Sequence, residues 1–172
     1  MKEIALHILD ISENSVTAGA DRILIQVEKN LECISIRVKD NGKGMDPDTQ
    51  QMAVDPFFTS RNTRKVGMGI PLLKQHAEMT GGKLELVSEA GTGTCIEATF
   101  GLGHPDLQPL GDLEGCWLMM ASSFPGVEWE LECRTPTGAF NITTSQIRRE
   151  LGVEKVTGSE LKDSLKWFIR DQ

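Results

Sequence analysis

Four short motifs divide the first 100 residues in a fixed order: DNGKGM (Asp40 to Met45), DPFFTSR (Asp55 to Arg61), GMGI (Gly67 to Ile70) and GTGT (Gly91 to Thr94). Three of them carry paired glycines, which let a backbone turn sharply or pass close to another group. The first breaks a strand, the third opens a helix and the fourth turns between two strands. A chain interrupted at these places folds from short elements, and it carries no internal repeat or low-complexity tract.

The elements between the motifs follow from hydrophobic period. Residues 3 to 18 read as a helix, with Ile4, Ile8, Ile11 and Ser15 on one stripe and Gly19 as its stop. Ile23, Ile25 and Val27 alternate with Leu24, Gln26 and Glu28, and Ile34, Ile36 and Val38 repeat the pattern, so the pair reads as a hairpin. Asp46 to Val54 is a short helix with Asp46 as cap and Pro47 in its first turn. Asp55 to Val66 has no period and ends in a basic run, as a surface loop does. Ile70 to Thr80 is a helix stopped by Gly81 and Gly82. Lys83 to Ser88 and Cys95 to Phe100 are strands. Antiparallel hairpins with helices on one face predict a two-layer α/β sandwich.

After a Pro/Gly-rich linker, His104 to Gly111, the pattern restarts. A helix is expected over Asp112 to Ser123, a hairpin over Val127 to Cys133 and Ala139 to Thr143, and helices over Ser145 to Leu151 and Glu160 to Arg170. Thr157 to Glu160 fits a capping box for the last helix. The division is residues 1–104 as the main domain and 105–172 as a small α+β extension, read as a partner-binding unit or as a completion of the sheet.

A chain of 172 residues with 39% hydrophobic and 25% charged residues fits one ordinary soluble domain with a small appendage. Its net charge of -7 argues against general nucleic-acid binding, which needs a surplus of cations. No apolar run approaches a membrane span, and the N-terminus has no signal-peptide pattern, so the chain reads as cytoplasmic. Cys33, Cys95, Cys116 and Cys133 are too scattered for a zinc site and are expected to stay free.

The motifs suggest a pocket for a nucleotide. Asp10 and Asn14 lie one helical turn apart on one face. A carboxamide oxygen ligates Mg2+ without adding charge, and a carboxylate one turn away orients or deprotonates a nucleophile. The plain alternative is that Asn14 solvates the helix end. Asp40 closes a strand, where a fixed carboxylate can accept from a purine amino group, and Gly42 and Gly44 let the chain pass the base. A simple Asn-Gly turn is the other reading. Gly67, Met68 and Gly69 precede a helix whose first amides attract phosphate. Arg61, Arg64 or Lys65 could reach a γ-phosphate, although each singly reads as a solvated charge. Thr94 could support the purine end through its hydroxyl. Phe57 and Phe58 are expected to pack the base of the loop. His7 reads as a partly buried structural residue, and His76 and His104 as histidines without surrounding chemistry.

Over roughly residues 4 to 101 these motifs resemble the GHKL superfamily of ATP-binding domains: histidine kinases, anti-sigma serine kinases, MutL proteins, type II topoisomerases and a heat-shock chaperone. DPFFTSR and GMGIPLLKQHAEMTGGKLELVSEAGTGTCIEATF resemble the histidine-kinase catalytic domain, while ISENSVTAGADRI is more similar to the MutL version. The resemblance implies a two-layer α/β sandwich with a mixed, largely antiparallel sheet, and ATP and Mg2+ as cofactors. It places Asn14 on the metal, Asp10 as an acidic base, and Asp40, Gly42, Gly44 and Thr94 at the adenine. Gly67 to Gly69 would face the phosphates. Asp10 is one methylene shorter than the Glu usual in several branches. Thr17 stands where many histidine kinases carry a basic residue. The strand that usually precedes the first helix is absent, and the C-terminal hairpin is expected to replace it. No phosphoacceptor helix pair precedes the domain. Leu131 occupies the histidine position of the only echo of an acceptor box, Glu132 to Pro136, so transfer within the chain is not expected. The expectation is phosphotransfer to a separate protein. An anti-sigma-like binding switch and a MutL-like ATPase clamp are the alternatives, with homodimerisation open.

Overall fold

A computed structural model describes residues 3–57, 68–152 and 154. The predicted final helix, with its capping box, lies outside these residues, as do Phe58, Arg61, Arg64, Lys65 and Gly67. The elements run in the order α1 (Ile4–Thr17), β1 (Arg22–Lys29), β2 (Cys33–Asp40), α2 (Pro47–Ala53), α3 (Gly69–Met79), β3 (Leu84–Glu89), β4 (Gly93–Gly101), α4 (Leu113–Ser123), β5 (Glu128–Thr135), β6 (Gly138–Thr143) and α5 (Thr144–Leu151).

The strands form one six-stranded sheet in the order β3-β4-β2-β1-β5-β6. Every neighbouring pair is antiparallel except β1 with β5, which runs parallel from Arg22 opposite Glu128 to Glu28 opposite Arg134. The sheet is therefore mixed and largely antiparallel: the hairpins give the antiparallel part, and the parallel β1–β5 pair makes it mixed. Ile23, Ile25 and Val27 of β1 and Ile34, Ile36 and Val38 of β2 point to the buried side. They meet Ile4, Ile8 and Ile11 of α1 and Leu73 and Ala77 of α3 in one core. That face is the helical layer. The opposite face carries polar side chains that bond across the strands, among them Arg37 with Glu97 at 2.6 Å and Gln26 with Glu132 at 2.5 Å.

Residues 105–152 belong to the same sheet and the same core. Trp117 of α4 and Trp129 of β5 are almost wholly buried in it. The linker closes over the start of α1, where the carbonyls of Pro109 and Leu110 accept from the amides of Ile4 and Ala5 at 3.0 and 2.8 Å. These are first-turn amides that the helix itself cannot satisfy. Asp46 caps α2 by accepting from Thr49 N at 2.8 Å. A capping box that the sequence reading passed over joins Thr143 and Gln146 at the start of α5. Glu128 holds α5 to β5: it accepts from Ser145 N, Thr144 Oγ1 and Arg148 at 3.0, 3.0 and 2.5 Å. The echo of an acceptor box, Glu132 to Pro136, lies on β5 and the turn after it, not on a helix. Phe57 does not pack a loop base: it is 84% exposed. Its amide donates to Asp55 Oδ1 at 2.8 Å, a turn that carries the chain outward as α2 ends.

His76 has the surrounding chemistry that its sequence context did not show. Its Nδ1 lies 2.8 Å from Nε2 of the fully buried His7, and Gln108 Oε1 lies 3.3 Å from the same His7 nitrogen. The cluster ties α1, α3 and the linker together. Burial, and then the charge a protonated His76 would carry, lower the His7 pKa from 6.5 to about 4. Burial lowers that of His76 as well. The unfolded chain thus binds a proton at His7 that the fold refuses, so stability rises with pH across this window. It is fully present above about 6.5 and is lost as pH falls toward 4. The expected loss is on the order of 3 kcal/mol, read by chemical denaturation at stepped pH. The slope should flatten in His7→Gln. A wild-type slope that persists unchanged in His7→Gln would assign it to other groups.

Candidate functional site

The motif residues converge at the end of the helical layer where β2 stops. Asp40 is the last residue of β2 and is 9% exposed. Three donors reach its carboxylate. Ser15 Oγ donates to Oδ2 at 2.5 Å, and the amides of Gly42 and Thr94 donate to Oδ1 at 2.9 and 3.2 Å. A carboxylate so held is fixed in rotamer, and Oδ2 keeps acceptor capacity toward the cavity. Ser15 was visible in the sequence only as the one hydroxyl in the apolar stripe of α1. A buried hydroxyl at such a position needs a partner, and that partner is Asp40.

The glycines after Asp40 carry the chain between α1 and the β3–β4 turn. Gly44 has φ of +65°, and a Cβ there would fall 1.9 Å from the carbonyl oxygen of Glu89, so no other residue fits. At Gly42 a Cβ would lie 3.0 Å from Ala18 and 3.1 Å from Asp40 Oδ1, tight against the carboxylate it donates to. Lys43 fixes both neighbours through its backbone: its amide donates to Ala18 O at 3.0 Å and its carbonyl accepts from Gly91 N at 2.7 Å. Ser88, which the sequence reading did not single out, lies 2.8 Å from the Thr94 hydroxyl and accepts from Met45 N at 2.8 Å. Gln50 brackets Ser88 by bonding its carbonyl at 2.7 Å and its amide at 3.2 Å. Neither residue sits in a glycine motif, which is why spacing alone did not reveal them.

The result is a cavity of about 380 Å³ lined by Asn14, Asp40, Gly44 and Thr94, with Ile11, Ile70 and Ile96 as its apolar wall. A largely apolar slot with one fixed carboxylate in its lining suits a flat heterocycle with an exocyclic amine. A second, smaller cleft of about 140 Å³ lies on the open face of the sheet. Its central side chains Gln26, Arg37, Glu97 and Glu132 are bonded to one another, so it offers no comparable site.

Asn14 and Asp10 project from α1 in the expected order but reach different surroundings. Asn14 lines the cavity. Asp10 turns toward the start of α3, where its Oδ2 is buried without a hydrogen-bond partner and would lie 1.6 Å from a Cβ built on Gly69. Burial raises the Asp10 pKa above the ordinary carboxylate value. Met68 stands at the cap of α3, half exposed, and no side chain caps that helix. The start of this helix lies beside Asp10, which it meets at Gly69. Gly67, Arg61 and Lys65 fall outside the described residues.

The donor set can be tested against a metal. Among the described residues no three His, Cys, Asp or Glu side chains gather to hold an ion. Among the described residues that line the cavity, Asn14 offers one neutral carboxamide, which fits a hard ion that keeps most of its shell as water and ligand phosphate oxygens, as Mg2+ does.

The family model for histidine kinase-, DNA gyrase B-, and HSP90-like ATPases matches residues 2–104. The chain belongs to this family. Among curated relatives, a probable C4-dicarboxylate sensor kinase of Bacillus subtilis is 31% identical over 97 residues, 56% of this chain and 18% of that protein. The osmosensing histidine protein kinase SLN1 of Saccharomyces cerevisiae is 33% identical over 86 residues, 47% of this chain and 7% of that one. The chain thus spans less than a fifth of the length of these sensor kinases. Among solved structures, the N-terminal domain of a DNA repair protein aligns with a TM-score of 0.57 at 15% identity, over 83% of this chain and 52% of that one. The Aquifex aeolicus MutL ATPase domain complexed with ADP aligns at 0.50 with 19% identity, over 77% and 60%. These likenesses establish the fold of this ATPase family. Among the described residues no helix is long and apolar enough to cross a membrane.

Proposed function

We propose that the chain binds Mg-ATP in the cavity beside Asp40 and transfers the γ-phosphoryl group to a separate protein. The observation that carries this reading is the convergence of Asn14, Asp40 and Thr94 on one apolar cavity, with Asp10 and the start of α3 next to it. Asp40 accepts from the adenine amino group, while Ser15, Gly42 and Thr94 hold its carboxylate still. The first amides of α3 receive phosphate oxygens. Asn14 contributes its carboxamide oxygen to Mg2+, which supplies charge neutralisation at the phosphates when bound. Asp10 orients the acceptor group and takes its proton, and its raised pKa makes it a stronger base than an exposed aspartate. Arg61 and Lys65 steady the transferring charge. Residues 105–172 hold the partner.

The test uses the chain with Mg2+, ATP labelled at the γ-phosphoryl group, and the proteins that co-purify with it. Label should appear on a co-purified protein. Asp10→Asn should slow its appearance by about 100-fold, the share a general base contributes, while ATP affinity stays unchanged. Nucleotide-dependent association without transfer would replace this reading with a binding switch. ATP-driven dimerisation with slow hydrolysis would replace it with an ATPase clamp.

A further inference from the structure

We infer that Gly69 is a positioning residue for Asp10: the absence of a side chain at the first position of α3 makes the seat in which the Asp10 carboxylate lies. The inference rests on the reading of Asp10 as the base, and it gives that glycine a role distinct from contact with phosphate.

The geometry is specific. A Cβ at residue 69 would fall 1.6 Å from Asp10 Oδ2, 2.8 Å from Cγ and 3.5 Å from Cβ. The collision is with the carboxylate and with no backbone atom, so a methyl group at 69 displaces one short side chain and leaves the fold standing. Gly69 has no positive φ and begins a regular 11-residue helix, so its backbone conformation does not call for glycine. What calls for it is space. Oδ2 is buried and has no hydrogen-bond partner, an arrangement that costs free energy and that native folds keep at strained or catalytic positions. Burial in the seat also gives the carboxyl its raised pKa, which an Asp10 turned out to solvent would lose.

Asp10 and Gly69 therefore form one unit, and a double-substitution cycle tests it without nucleotide. In wild type, Gly69→Ala should lower Tm by about 3 °C, the scale of one modest clash in a chain of this size. In an Asp10→Ala background the clash is gone, and alanine is the better helix former, so Gly69→Ala should raise Tm. Equal shifts in both backgrounds would overturn the proposal. A second readout separates positioning from packing. With Mg-ATP, Gly69→Ala should reduce kcat at least about tenfold with ATP affinity held, and should move the acid limb of the pH–rate profile to lower pH. A loss of ATP affinity that persists in Asp10→Ala would instead assign Gly69 to phosphate contact and overturn the inference. If the chain binds no nucleotide, the functional reading fails, and the stability cycle still decides the seat.

Discussion

Asp40→Ala is expected to reduce ATP affinity by about three orders of magnitude and to lower stability on the order of 3 kcal/mol, from a lost charge-assisted contact and stranded donors. The two losses share a cause. The carboxylate is the acceptor for Ser15 Oγ, Gly42 N and Thr94 N at once. Removing it leaves those donors facing a cavity rather than bulk water, each at a cost of roughly 1 kcal/mol or more. It also releases one tether of the loop that shapes the pocket, since Gly42 N donates to Asp40 Oδ1. Asp40→Asn keeps one acceptor oxygen and should recover part of the stability but little of the affinity, because an amide nitrogen meets the purine amino group donor to donor. Ser15→Ala should lie between wild type and Asp40→Ala in both measures. Calorimetric titration with ATP and urea denaturation of the same preparations check the pairing. Unchanged affinity in Asp40→Ala would remove the purine from this cavity.

Asn14→Ala should separate what Asp40→Ala combines. Asn14 is half-buried on α1 and lines the cavity. Alanine is the stronger helix former by a few tenths of a kcal/mol, so Tm should hold or rise slightly. Affinity for ATP in Mg2+ should fall by at least about 100-fold, the scale of losing a direct metal ligand where outer-shell partners alone are worth 10- to 100-fold. The decisive comparison is titration with and without Mg2+. Wild type should bind far more tightly with the ion, and the variant should show no difference. A variant that kept the Mg2+ dependence would move the metal to another oxygen.

The parts of this fold that were legible in advance are those that depend on local period and on backbone chemistry. The alternation of Ile23, Ile25 and Val27 with polar residues fixed which face of β1 is buried. The Asp46-Pro47 pair placed the start of α2. Asn14, Asp40, Gly44 and Thr94 came from motif spacing and line one cavity. What was not legible depends on partners distant in sequence. Ser15 is 25 residues from Asp40, Ser88 is 43 from Met45, and His7 is 69 from His76. No local pattern marks such pairs, because the partners are brought together only by the packing of segments distant in sequence. Phe57 shows the converse: its hydrophobicity suggested packing, and the Asx turn at Asp55 carries it to the surface.

By itself, then, the order of residues determined the elements found among the described residues, their buried faces and the residue types available to hold a nucleotide, since these follow from side-chain period, proline and glycine geometry and capping chemistry. The tertiary structure alone decided that β5 lies parallel beside β1, that Asp40 is held by three donors, and that Asp10 seats against Gly69. These are matters of which surfaces meet. Burial and steric exclusion between distant segments act only once the sheet has closed on its helices.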